Sequence, residues 1–255
     1  MYNSGIMKKN ENDFRKMKNA EPVVMLTAYT YPVARCLELV NIPILLVGDT
    51  WGMVEMGFSS TRDVTMDQMC DHIAAVRRGA PETHIIGDLP YGSDATPEKA
   101  LKNAKRFIEA GADSVKLEGP KYNVIEFLVE NDIDVIGHTG LTPQTAPNFK
   151  QAGKQKKEAE RILQEASQME SRGCFMIILE HIPEELGREI TKRLKIPVVG
   201  IGAGSGCDGQ VLVINDLLGL GGYWPPFSKQ YAHLDRIIQT AAAQFAKEVK
   251  NGTFP

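Results

Sequence analysis

A chain of 255 residues with a net charge of −3 lacks the basic footprint expected of a nucleic-acid or anionic-membrane binder. Its 43% hydrophobic and 24% charged residues fit a soluble globular protein with a sizeable core, not a disordered or membrane-spanning one. The length exceeds that of an average domain but is ordinary for one α/β barrel.

The first twenty residues or so are polar and mix Lys with Glu and Asp. They lack the apolar centre of a signal peptide, and their acids argue against a transit peptide. A cytoplasmic location is the expectation. Eight short Val/Ile-rich runs follow: 23–29, 42–49, 84–90, 113–119, 133–140, 174–183, 196–204 and 210–216. Continuous apolar runs flanked by turn formers suit parallel strands buried on both faces.

Helical patterns separate the runs. The segment 65–80 offers Thr65 as N-cap and Gly79 as breaker. The segment 96–112 offers Thr96 as cap, Pro97 at the first helical position, Glu98 in the first turn and Gly111 at the stop. Segments 154–173 and 182–197 read similarly, the first with a charged, solvated face. From Ser228 the pattern is a long amphipathic helix over about 228–250, suited to closing a barrel or packing on a neighbouring subunit. Strands alternating with helices predict an α/β fold, a (β/α)8 TIM barrel. An open doubly wound sheet is the alternative. No linker or low-complexity segment divides the chain, so a single domain is expected over 1–255, with 1–20 as an N-terminal extension. Cys36, Cys70, Cys174 and Cys207 form no C-x-x-C pair, which predicts reduced core thiols and no zinc or redox site.

The predicted strands end on polar residues: Thr27 and Tyr29, Asp49 and Thr50, Asp88, Lys116 and Glu118, His138, then Glu180 and His181. In a barrel these ends converge on one mouth. A lone strand-terminal Asp is usually a turn former or helix cap. Six strands ending this way would bury charge at several kcal/mol each without compensation, which a cation and a polar substrate would offset. Asp49 and Asp88 are hard oxygen ligands suited to Mg²⁺. Lys116 suits an anionic substrate group, and Glu180, closing an apolar run, suits proton abstraction. The pattern predicts a divalent-metal site that stabilises an enolate, with a carboxylate base beside it. The Gly-rich stretch 200–204 resembles a phosphate loop but lacks a capped helix directly after it, so it is read as shaping a turn.

The stretches "MLTAYTYPVA", "LLVGDTWGMV", "VTMDQMCDHIAAVRRGAP", "GDLPYGS", "VIGHTGLTPQT" and "GIGAGSGCDGQ" run in order from about residue 23 onward. Together they resemble the ketopantoate hydroxymethyltransferase family. That resemblance implies a barrel like those of the isocitrate lyase and phosphoenolpyruvate mutase relatives. It implies Mg²⁺ or another divalent cation at the mouth and a homo-oligomer, in the family a decamer. It also implies a reaction: hydroxymethyl transfer from 5,10-methylenetetrahydrofolate to 2-oxoisovalerate, giving 2-dehydropantoate for pantothenate and coenzyme A. By the same resemblance Asp49 and Asp88 match metal ligands that also meet substrate. Glu118 matches a carboxylate near the metal, Thr50 a hydroxyl on the substrate carboxylate and Lys116 a substrate-binding Lys. His138 matches an active-site His, and Glu180 the general base. The partners so implied are a small 2-oxo acid and a folate, with no nucleic acid and no membrane.

The chain departs from the family pattern at several positions. Thr30 replaces an Asp, Thr50 and Trp51 replace Ser-Leu, and His181 stands where Cys is common. After "GLTPQ" a Gly-Gly pair and about three residues are missing, and "FKQAGK" (149–154) stands as the remnant. A related barrel enzyme performing aldol-type addition or C–C cleavage on another 2-oxo acid is the second reading. The loop after the third strand, "PYGSDATPE", lacks the Cys such lyases usually carry. A non-catalytic barrel is the third, disfavoured by the retained set of costly charges.

Overall fold

The computed structural model describes residues 8–255 apart from 147 and 223. Eight strands, β1 (Val23–Thr27), β2 (Ile44–Val47), β3 (His84–Asp88), β4 (Ser114–Glu118), β5 (Val135–Gly140), β6 (Met176–Glu180), β7 (Val198–Ile201) and β8 (Gly209–Leu212), form a closed parallel barrel in chain order. The open-sheet alternative is thereby excluded. The last strand is shorter than the 210–216 run: Val213 turns the chain into a short helix at Ile214.

The helices are α1 (Glu11–Lys16), α2 (Tyr31–Leu39), α3 (Trp51–Val54), α4 (Met66–Gly79), α5 (Pro97–Ala110), α6 (Tyr122–Glu130), α7 (Lys156–Ser171), α8 (Glu184–Arg193), α9 (Ile214–Leu218) and α10 (Leu234–Lys250). Among the described residues no helix is long and apolar enough to cross a membrane. Thr65 caps α4 through the Gln68 amide N–H, and Gln68 reaches back to complete a capping box. Gly79 is the last residue of α4 rather than its break. The close packing of α4 on α2 requires glycine there, since a Cβ would strike the Tyr31 carbonyl and Ala34. On α5, Thr96 caps, Pro97 opens and Gly111 closes in the left-handed conformation, as its residue types predict.

Contacts divide the chain into two compact units, one ending at Val211 and the other Leu212–Pro255. In the first, β2 through β5 are buried along their whole length. Inside the barrel Met25, Ile44, Leu46, Ile86, Ile136, Met176, Ile178 and Val199 pack together. Phe14 of α1 joins that cluster, fully buried, with its ring edge-on to His84 and stacked near Phe175. The polar N-terminal stretch thus supplies an aromatic residue to the core. In the second unit α10 carries Ile237, Ile238, Phe245 and Val249 exposed, and it buries no residue.

The expectation of four core thiols fails in part. All four cysteines are free, but only Cys174 is buried; Cys36 is exposed, and Cys70 and Cys207 are intermediate. On α2 the buried face is Ala34, Leu37 and Glu38, which turns Cys36 outward.

Candidate active site

The barrel's hydrogen-bond register assembles the site. Asp88 on β3 is paired with Lys116 on β4, and Glu118 on β4 with His138 on β5. Lys116 and Glu118, two residues apart, share a face of their strand. Gly140 pairs with Glu180, which brings the ends of β5 and β6 together. Gly140 has φ 104°, and a Cβ there would collide with the Glu180 carbonyl oxygen, so only glycine permits this approach.

The register becomes contact. Lys116 Nζ donates to both Asp88 oxygens, at 2.8 and 2.9 Å. The Asp49 amide donates to Asp88 Oδ2 at 3.2 Å. His138 Nε2 lies 3.1 Å from Glu180 Oε2, and its Nδ1 lies 3.7 Å from Glu118 Oε2. Asp49, Asp88, Lys116, Glu118 and His138 are all buried. The Glu180 side chain keeps 20% of its exposure, the only one of these four carboxylates open to the mouth. Thr50 precedes α3 in helical geometry, and its hydroxyl makes no cap bond to that helix.

The electrostatics follow from crowding. Burial, then the Asp88 charge, pushes Asp49 up to about 8, against Lys116 and a Gln144 hydrogen bond. Burial pushes Glu118 up to about 9 against the pull of Lys116, with Asp49 and Asp88 adding to the rise. Burial opposes the charge on Lys116, but Asp88, Asp49 and Glu118 outweigh it and hold the ammonium above the ordinary lysine range. Burial, then Lys116, lowers His138 despite Glu180 beside it, so the ring is neutral at pH 7.

The site therefore carries more negative than positive charge, relieved in the bare protein by protons. A divalent cation relieves the same excess, and the donors are oxygens, the kind Mg²⁺ prefers. Among the described residues no three His, Cys, Asp or Glu side chains already converge as a metal-holding group. Asp88 is fully engaged by Lys116, and Asp49 has one oxygen held. The fit is to an ion held by one or two carboxylates and keeping several waters.

Sequence reasoning misses one residue at the centre of this arrangement. Gln144, in the turn after β5, is 1% exposed. Its side-chain amide donates to Asp49 Oδ2 (2.8 Å) and the Leu89 carbonyl (3.0 Å), and its backbone N–H donates to Glu118 Oε1 (2.9 Å). It lies inside the stretch "VIGHTGLTPQT", but an amide in a Thr-Pro-rich turn reads as solvated. Trp51 turns away from these groups. It is buried, donates to Met69 Sδ at 3.1 Å and packs against His72 at 4.2 Å. The shortened loop is pinned where it rejoins the barrel: Ala152 N–H donates to the His181 carbonyl. Gly153 follows at φ 79°, with Leu186 and Ile162 filling the space of a Cβ. Gly202 and Gly204 both have positive φ, at 63° and 80°, consistent with a turn-shaping role.

A family model described as ketopantoate hydroxymethyltransferase matches residues 8–255. The chain belongs to that family. A 3-methyl-2-oxobutanoate hydroxymethyltransferase of Thermotoga neapolitana is 47% identical over 253 residues, covering 96% of this chain and 94% of that protein. Its counterpart in Thermus thermophilus is 45% identical over 256 residues, 98% of each. Among solved structures, 2,3-dimethylmalate lyase, a member of the phosphoenolpyruvate mutase/isocitrate lyase superfamily, superposes with a TM-score of 0.65. At 14% identity over 95% of this chain and 88% of that one, the likeness concerns the fold. As a member of the ketopantoate hydroxymethyltransferase family, the protein is an enzyme, a hydroxymethyltransferase.

Proposed function

We propose that this enzyme transfers a hydroxymethyl group from 5,10-methylenetetrahydrofolate to 3-methyl-2-oxobutanoate, giving 2-dehydropantoate. The observation that carries the reading is the convergence of Asp49, Asp88, Lys116, Glu118, His138 and Glu180 at one barrel mouth in a chain of this family. Asp49 and Asp88 would hold Mg²⁺ or another divalent cation, with Glu118 behind them. When bound, such a cation polarises the keto group of a 2-oxo acid and so acidifies the adjacent C–H.

The chain's own residues supply the remainder. Lys116, fixed on Asp88, places a permanent positive charge where an anionic substrate must enter a negative pocket. The Thr50 hydroxyl, not used for capping, is offered to the substrate carboxylate. Glu180 Oε2 takes the C3 proton, its partial exposure giving it access to substrate. Neutral His138, its Nε2 3.1 Å from Glu180 Oε2, sits close enough to steady that carboxylate as the proton transfers. Water takes the one-carbon unit from the folate at the aldehyde level, both C–N bonds of the methylene breaking and tetrahydrofolate leaving. The carbon nucleophile at C3 adds to that carbon, and the alkoxide formed takes back the proton held by Glu180.

The test is deuterium exchange at C3 of 3-methyl-2-oxobutanoate in D₂O, followed by proton NMR with and without Mg²⁺, then turnover with methylene-folate. Cation-dependent exchange plus turnover is the expected result. Exchange without turnover would mean a different one-carbon donor, and the shortened 149–154 segment would be the place to look. No exchange would overturn the substrate assignment. Glu180→Gln should abolish exchange while the 2-oxo acid still binds; exchange at the wild-type rate would remove Glu180 as base.

A further inference from the structure

We propose that Gln144 is a positioning residue that fixes Asp49 and Glu118 in the orientation needed to receive a divalent cation, and that Arg62 latches it in place. The inference rests on the metal reading above and extends it to residues that do not touch the ion. After β5, a turn closed by Thr145 N–H and Ala146 N–H on the Thr142 carbonyl folds Gln144 into the mouth. An ordinary turn residue would spend its donors within the turn. Gln144 instead directs all three N–H donors at acceptors from other strands: Asp49 after β2, Leu89 after β3 and Glu118 on β4. Every partner of the side-chain nitrogen is an acceptor, so the amide has one orientation only. Holding Asp49 Oδ2 leaves Oδ1 as the oxygen available for a monodentate contact, the mode suited to a small octahedral cation.

Arg62 completes the arrangement from outside. It sits on a single 3₁₀ turn, Thr61–Asp63, started by the Ser60 hydroxyl. Its Nε donates to the Gln144 carbonyl at 2.6 Å, and its guanidinium lies 4.7 Å from the centre of the Tyr91 ring. Three mouth segments, those after α3, β3 and β5, are thus joined through one glutamine. Residues that support a metal ligand by hydrogen bonding typically cost about 10–100-fold in metal affinity or activity when removed.

The experiment is a Mn²⁺ titration by electron paramagnetic resonance on the full chain, comparing wild type, Gln144→Met and Arg62→Ala. Methionine keeps the volume of glutamine and removes the donors. Gln144→Met should bind Mn²⁺ roughly 10–100-fold more weakly, with Arg62→Ala shifted in the same direction and less. A merely structural role would lower the melting temperature and leave the affinity of the folded protein unchanged. Arg62→Ala decides the matter if Gln144→Met does not fold. Wild-type affinity in the folded variants would overturn the positioning role alone. Wild type that binds no Mn²⁺ would overturn the metal reading and the positioning role with it.

Discussion

Replacing Lys116 with Met removes the ammonium that both oxygens of buried Asp88 accept from. At 2.8 Å and an effective dielectric of 20, its attraction to Asp88 is about 6 kcal/mol. Burying both groups offsets much of that, so the pair itself adds little net stability. Removing one partner is different, because Asp88 stays buried without its counter-charge, and such losses run to about 3–5 kcal/mol. The pH dependence has a definite sign. Without the ammonium, the carboxylates already raised by burial rise further above their unfolded values near 4. The folded state then holds protons that the unfolded state has released, so stability falls as pH climbs through that window. Wild type holds the same protons up to about pH 8, so the deficit of Lys116→Met relative to wild type should be larger at pH 9 than at pH 7. Urea unfolding followed by circular dichroism in EDTA measures it. A deficit below about 1 kcal/mol at pH 9, or one indifferent to pH, would refute the reasoning.

Three other outcomes are expected. His84 is neutral when folded, burial lowering it to about 4, with Nδ1 donating to the Lys9 carbonyl and Nε2 accepting from Ser114. Its unfolded value near 6.5 is higher, so stability is lost as pH falls from 6.5 towards 4, by up to ~3 kcal/mol; urea unfolding of His84→Gln should lack that component. Gly140→Ala should cost ~2 kcal/mol or more from its backbone angle alone and slow C3–H exchange, read by thermal melting and NMR. Trp51→Leu should destabilise by ~2–4 kcal/mol through the cavity it leaves, while the KM for the 2-oxo acid stays near wild type; a large KM change would put Trp51 in the substrate pocket after all.

Much of this molecule is legible in its residues because parallel strands buried on both faces write long Val/Ile runs. The polar residues that interrupt such runs at one end stand out against them. Asp88, Lys116, Glu118 and His138 are visible for that reason, and the barrel brings them together. Gln144 escapes because its importance lies in where a turn points, which spacing does not encode. Cys36 is misplaced because a helical pattern fixes a period without fixing which face meets the core. Phe14 is passed over because one aromatic among charged residues carries no periodic signal, yet it reaches the barrel interior. Trp51 reads in the sequence only as a departure from the family's Leu; its neighbours Met69 and His72 show it serving the packing of α3 on α4.

The pairing of Asp88 with Lys116 and of Glu118 with His138 has a consequence for folding. A strand alternates its side chains, so a one-residue slip of β4 would carry Lys116 and Glu118 together from the interior into the helical layer. Asp88 would be stranded and His138 would lose a neighbour, while the apolar strands could still collapse around the error. The charged rim therefore discriminates against misthreaded barrels that hydrophobic burial alone would tolerate. The fraction of refolded protein that regains C3–H exchange would count the correctly threaded molecules, where a far-ultraviolet spectrum would count every barrel alike.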